Sequence, residues 1–361
     1  MINFLYLNKS TSYMDSTDRL LSCKIQSLRE QNPPYFDKII SYYNELSRTD
    51  LAKYELVKNT IESMWKYDSK NAREFQLMKD FEGILQRNIK YRDHLIHSLN
   101  VFLLGYYIIN SLERDINFKL FRGDSNLTWL LASTFHDIGY PIEKIDEWLN
   151  DLLKSMLGVN PKVSISVGHY MPPVYNEFMK LISRFHRFPE SERIEGTFSY
   201  DWDFYSKLNE KLVEKDHGVF SGLILAHELG IREGFIANND WNFLYNHIPA
   251  CHAICTHRMD ITLSFRDHPY AALLKICDEI QDWGRPSLTN YDDIITISNI
   301  QVINDNCRRI HIDINASNNR FSQLKEKLCR VITGAVVQIE INNLTNNEVL
   351  ILNYSSAPPS D

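Results

Sequence analysis

Trp129-Leu130-Leu131-Ala132-Ser133-Thr134-Phe135-His136-Asp137-Ile138-Gly139-Tyr140-Pro141 is the stretch on which the fold turns. Apolar residues followed by Gly and then Pro predict a buried helix reaching its C-terminal end. In that reading Gly139-Tyr140-Pro141 ends the helix, and His136-Asp137 occupies its last turn. The helix dipole is negative there, so a cation is favoured and a further anion is not. An isolated His-Asp pair also arises from a capping Asp beside an ordinary core histidine. What the pair means therefore depends on the partners the chain supplies.

On the N-terminal side, Tyr91-Arg92-Asp93-His94-Leu95-Ile96-His97-Ser98-Leu99-Asn100-Val101 opens a helix that is apolar nearly all round through Ile109. Such a helix belongs in a core. His94 and His97 are three apart and share a face.

On the C-terminal side, the interval from about 143 to 215 is rich in aromatics and carries Lys180, Arg184, His186 and Arg187 on a predicted helix. A lid over a phosphorylated base is one reading of it. An amphipathic helix packed by its aromatics is the reading favoured for most of these residues. Asp216-His217-Gly218 then begins a helical run that also holds His227. Pro249, in the next histidine-bearing stretch, suits a first helical turn. His252 and His257 in that stretch are five apart and diverge by about 140° on a straight helix. Both enter one site only if the helix ends or bends between them, and His257 is preferred. His227, His247 and His268 receive no role. Finally, Asp278 lies among Leu274, Ile276 and Cys277, where an unpaired carboxylate is costly, and Asp282 follows four residues on.

The ordered set is His97, His136-Asp137, His217, His257 and Asp278, all on predicted helices or their ends. Imidazole mixed with carboxylate suits a divalent transition metal or a magnesium-like ion better than a thiolate zinc site. Helix-borne ligands from distant positions are how helical bundles build such sites.

Composition bounds the rest. The chain has 361 residues, 44% of them hydrophobic and 24% charged, as in ordinary globular proteins. Lys plus Arg is 39 against Asp plus Glu at 46, a net charge of −7. That balance argues against sequence-independent duplex binding, which depends on neutralising phosphates. The N-terminal Met1 to Leu7 has neither the basic flank nor the length of a signal peptide. The apolar run Val101 to Ile109 is too short to span a bilayer. Six scattered cysteines without a Cys-x-x-Cys pair suit reduced thiols in a cytoplasmic protein. From about 292 onward, β-branched runs around Asn-rich turns predict a small α+β module. The predicted fold is mostly α: a helical N-terminal flank (1–88), a metal-binding helical domain (89–290) with an insertion at about 143–215, and the α+β module (291–361).

The ordered set resembles the HD-domain metal-dependent phosphohydrolase superfamily, whose pattern is a His, a His-Asp doublet and a distal Asp. His97-Ser98, His136-Asp137 and Asp278 match these elements. Arg92-Asp93-His94, His136 to Pro141, Asp216-His217-Gly218 and Asp278 to Pro286 look more closely like the HD branch proposed as effectors in bacterial conflict systems. The resemblance spans roughly Tyr91 to Pro286. It implies an HD-type helical bundle in which His97, His136, Asp137 and Asp278 hold one metal. In two-metal members Asp137 would bridge to a second ion held by residues like His217 and His257. The ion would be Mn, Mg, Fe, Ni, Co or Zn, in one or two copies.

The implied reaction is hydrolysis of a phosphoester by a metal-activated water, with a nucleotide or cyclic nucleotide as the preferred substrate class. His217 and His257 would either complete a second site or contact the phosphate. Lys144 would neutralise phosphate charge, although a solvent-facing lysine fits as well. Arg285 with Asp282 would shape the pocket, although an Asp-Arg clamp at a helix end would look the same. The alternatives are a nuclease on single-stranded nucleic acid and a nucleotide sensor that binds without turnover. No membrane partner is expected, and self-association is left open. Gly139-Tyr140-Pro141 directly follows the doublet, whereas in cyclic-di-GMP-cleaving relatives a Gly-Tyr-Pro follows a His-His pair. This chain has no adjacent His-His pair, so those letters give no support to that substrate.

Overall fold

The computed structural model describes residues 16–28, 36–46, 53–68, 94–114, 120–121, 123–158, 160, 162–166, 173–187, 200–229, 243–281, 294–304, 308–333 and 336–352. The expectations for Arg92-Asp93, Asp282, Arg285 and the C-terminal tail lie outside these residues. In chain order the helices are α1 (Ser16–Gln26), α2 (Phe36–Leu46), α3 (Lys53–Asp68), α4 (His94–Leu112), α5 (Ser125–Phe135), α6 (Tyr140–Leu157), α7 (Pro173–Arg187), α8 (Trp202–Val213) and α9 (His217–Glu228). A π-helical turn at Phe243–His247 leads into α10 (Ile248–Thr256), β1 (Leu263–Ser264) and α11 (Pro269–Ile280). β2 (Thr296–Ile303), β3 (Arg309–Asn315), α12 (Asn318–Val331), β4 (Ile332–Thr333), β5 (Gln338–Asn343) and β6 (Glu348–Leu352) complete the chain. The protein is mostly α with a small C-terminal α+β region.

By contacts, the chain forms two units interleaved along the sequence rather than consecutive segments. The first comprises Met1–Arg114, Ile280–Leu324 and Ile339–Ile351. Its central helix, α4, carries nineteen residues long and apolar enough to cross a bilayer, and all nineteen are buried. The first unit also holds the sheet β2-β3-β5-β6. β2 and β3 run antiparallel from Thr296↔Asn315 to Ile303↔Arg309, with an irregularity between Ile297 and Asn299. Ile310, Ile312 and Ile314 alternate into the core as a half-buried strand requires. β2 is tied to the N-terminal helices by side chain as well as packing. Thr17 Oγ1 donates to the Ile297 carbonyl at 3.2 Å and accepts from the Ile297 N–H at 3.1 Å. These bonds are why the strands group with α1 and α4, far upstream in sequence.

The second unit comprises Asp115–Glu279, Lys325–Gln338 and Leu352–Asp361. α10, buried along its whole length, packs against α5, α7 and α9. α9 also packs on α6 and α8. A short parallel pair, Leu263↔Ile332 and Ser264↔Thr333, joins β1 to β4. The interval 143–215 is largely helical where described, in α6, α7 and α8.

One local expectation is corrected. α5 ends at Phe135, but Pro141 does not terminate it; Pro141 lies in the first turn of α6. Proline fits there because its missing N–H would have no intrahelical partner. The four-residue turn His136–Gly139 thus joins two helices.

Candidate metal centre

His136 follows the last residue of α5, and His257 follows the last residue of α10. Both keep helical backbone, at φ −59° with ψ −29° and −30°. The Nδ1–H of His136 donates to the Ser133 carbonyl at 2.8 Å, and that of His257 to the Ile254 carbonyl at 2.6 Å. A carbonyl only accepts, so each bond assigns the proton to Nδ1 and makes Nε2 the lone-pair nitrogen. One device is used twice: a histidine at a helix C-terminus, locked to the carbonyl three residues back, with Nε2 projecting where the dipole favours a cation.

His217 comes from the opposite kind of helix end. Asp216 caps α9 by accepting from the Val219 N–H at 3.2 Å, which puts His217 in the first turn. Its Nδ1 is paired with Glu143 Oε2, and Glu143 lies in the first turn of α6. The turn carrying Asp137 is pinned to α9, because the Gly139 N–H donates to Ser221 Oγ at 2.8 Å. A side chain at Gly139 would not fit: its Cβ would stand 2.4 Å from the His217 carbonyl oxygen and 2.7 Å from the Ser221 nitrogen.

Asp137 faces these imidazoles with both oxygens. Oδ1 is 3.2 Å from His217 Nε2 and 3.9 Å from His257 Nε2; Oδ2 is 3.7 Å from His136 Nε2. Asp278 on α11 brings Oδ1 to 3.7 Å from the same His136 nitrogen. Two atoms each about 2.1 Å from one ion stand roughly 3 to 4 Å apart, and all four separations fall in that range. His257 Nε2 is buried without a hydrogen-bond partner, which a cation at Asp137 would supply. The group Asp137, His217 and His257 can hold a metal ion. The imidazoles are sealed, at 0–3% exposure, while Asp137 and Asp278 retain 11% and 18%. Access to the site is therefore on the carboxylate side.

The electrostatics agree with the geometry. Burial lowers the pKa of His217, but the Asp137 and Glu143 carboxylates outweigh it and raise the value to about 9. Burial likewise opposes ionisation of Glu143, and the His217 partner carries it the other way, to about 2. His136 is raised by Asp137 and Asp278 against its burial. His257 is pushed well below its ordinary value by burial and by His136 and His217 beside it. Three acidic side chains, Asp137, Asp278 and Glu143, thus face imidazoles with little access to water.

Of the residues the sequence singled out, His136, Asp137, His217, His257 and Asp278 come together in the second unit. His97 lies in the first unit, buried on α4, with Nδ1 paired with Gln281 Oε1; its role as a ligand rests on the sequence pattern. Lys144 Nζ sits 3.7 Å from Glu143 and 3.5 Å from Glu147, and 5.5 Å from the centre of the Tyr140 ring. It is occupied with local acids and an aromatic face.

Two features escaped the sequence. Glu143 is one, because a turn separates it from the doublet and erases any helical spacing between them. The other is a histidine cluster made by His186, His252 and His268. Burial lowers the pKa of His186 and His268 to about 4 and of His252 well below its ordinary value. His186 accordingly does not serve as a cation in the basic group suggested for α7. Comparison with protein-family models, curated proteins and solved structures finds no match for this chain.

Proposed function

We propose that the chain is a metal-dependent phosphohydrolase of the HD-domain type, most like the conflict-effector branch, acting on a nucleotide or cyclic nucleotide. The observation that carries this reading is the two-sided carboxylate of Asp137. One oxygen faces His136 and the other faces His217 and His257. Asp137 with His136 and Asp278 would hold one cation, and Asp137 with His217 and His257 would hold a second. The sequence pattern adds His97 as a candidate ligand.

A bound divalent ion supplies Lewis acidity and lowers the pKa of water at neutral pH. The chain's own residues do the rest. His136 and His257 hold their lone pairs in place through their Nδ1 bonds to carbonyls. Glu143 fixes the His217 ring, so that Nε2 turns toward Asp137. The partly exposed Asp137 and Asp278 mark the side from which a phosphoester would approach. Lys144, next to Glu143 in the first turn of α6, would supply a cation for phosphate charge once released from Glu143 and Glu147.

A nuclease on single-stranded nucleic acid is the second reading. It is favoured by Tyr200, Trp202 and Tyr205, which cluster at the start of α8 with ring centres 4.4–5.9 Å apart, and by the 66% exposure of Trp202. Such a group can stack bases. The test is incubation of the purified chain with manganese and a panel of nucleotides, cyclic nucleotides and oligonucleotides. Hydrolysis of the mononucleotides is expected, with Asp137→Ala slower by at least about 100-fold, since even residues behind a ligand are worth 10–100-fold. Shortened oligonucleotides would replace the first reading by the second, and binding without product would make the chain a sensor. Unchanged turnover and metal content in Asp137→Ala would remove the central idea.

A further inference from the structure

Three histidines outside the Asp137 site converge from three places in the second unit. His186 is in the last turn of α7, His252 is in the middle of α10, and His268 immediately precedes α11. Their ring centres lie 5.2 Å apart for His186 and His252, 5.0 Å for His186 and His268, and 4.5 Å for His252 and His268. One nitrogen from each falls within 4.8 Å of the other two. His186 Nδ1 and His252 Nε2 are 3.0 Å apart.

The tautomer of His268 is fixed from behind. Its Nε2–H donates to the His186 carbonyl at 3.0 Å, an atom that can only accept. Nδ1 is therefore the lone-pair nitrogen, and it is buried without any hydrogen-bond partner in a residue only 6% exposed. A buried acceptor left unpaired costs stability, and a ligand removes that cost. An imidazole whose second nitrogen is held by a carbonyl is also the usual arrangement behind a metal-ligating histidine. Phe185 and Phe204 pack against the group, Phe204 stacking on His186 at 4.0 Å and Phe185 standing 5.2 Å from His252. Among the described residues, no carboxylate or thiol belongs to the cluster. Neutral imidazoles in an apolar wall suit zinc and its borderline neighbours and disfavour magnesium or calcium.

We propose that His186, His252 and His268 form a second metal centre, separate from the Asp137 site, that takes a zinc-like divalent ion and ties α7 and α10 to the start of α11. Three imidazoles leave a fourth position for water or another small donor. The role is structural, since the ion would join three separate segments in an apolar setting. It does not depend on the function proposed above.

The experiment first disables the other site with the double substitution His136→Ala and Asp137→Ala. That protein is loaded with zinc, dialysed against excess magnesium, and examined for zinc content and for the zinc-edge X-ray absorption spectrum. One zinc per chain with imidazole scattering is expected, together with a melting temperature that falls on chelation. Adding His252→Gln should abolish retention, and His186→Gln, at a half-buried position, serves the same purpose if the first variant does not fold. If the double variant itself fails to fold, His186→Gln in the otherwise unaltered chain should lose one equivalent. The proposal is overturned if no zinc is retained, if zinc survives the histidine substitutions undiminished, or if its spectrum lacks imidazole scattering.

Discussion

Glu143 acts through its neighbour: its carboxylate determines what His217 can do. With Nδ1 engaged by the Glu143 carboxylate, the ring is fixed and Nε2 addresses Asp137 Oδ1 at 3.2 Å. A carboxylate behind a ligating imidazole both orients the ring and raises its basicity. Replacing Glu143 by Ala should therefore lower metal affinity by roughly 10–100-fold with the fold retained. Gln, which still accepts the Nδ1 proton but lacks charge, should cost less than Ala. Isothermal titration with manganese on the two variants would read this directly. Equal affinity in wild type and Glu143→Ala would mean that His217 is not a ligand. The carboxylate was hard to anticipate, because the turn His136–Gly139 breaks the helical register between Asp137 and Glu143.

At the scale of elements, the site depends on how closely the His136–Gly139 turn approaches the first turn of α9. Gly139 has an ordinary φ of −79°, so glycine is needed there for proximity and not for backbone freedom. Gly139→Ala must push the turn away from the His217 carbonyl and strain the Gly139–Ser221 hydrogen bond. Overpacking of this kind costs about 1–3 kcal/mol. A lowered urea midpoint with an unchanged slope, together with weakened metal binding, is the expected result; full wild-type stability would show that the contact yields freely. The same stretch shows what the sequence could and could not convey. A polar doublet directly after the apolar run Trp129 to Phe135 stands out because burial makes such residues costly, and five-residue spacing already separates His252 from His257. Alternation made β3 and β5 readable. Pro141 was ambiguous, because Gly-x-Pro after a helix serves equally to stop one helix or to start the next. The meeting of His186, His252 and His268 had no local signal at all, since it follows from α7 packing on α10.

For the whole molecule, the relevant balance is that of charge against burial. The chain carries a net charge of −7, and the Asp137 site adds Asp278 and Glu143 in a confined space. Without a cation, protons on His136 and His217 offset part of that repulsion, as their raised pKa values indicate. A divalent ion offsets it more fully, and because the ligands come from α5, α9, α10 and α11 and the turns after them, an unfolded chain has no comparable site. Binding to the native state alone stabilises by about 2.7 kcal/mol when free ligand is 100 times its dissociation constant. Each kcal/mol shifts the melting temperature by roughly 2–4 °C in a domain of about 150–250 residues, and by less in a longer chain. Manganese should therefore raise the melting temperature by several degrees, and the rise should grow with the logarithm of its concentration. Chelation should reverse it. In Asp137→Ala the manganese-dependent part should vanish, whereas a zinc-dependent rise should persist through His186, His252 and His268, whose all-imidazole set has little affinity for manganese. A melting temperature indifferent to manganese in the wild-type chain would argue that the Asp137 cluster is held by its own protons and needs no ion.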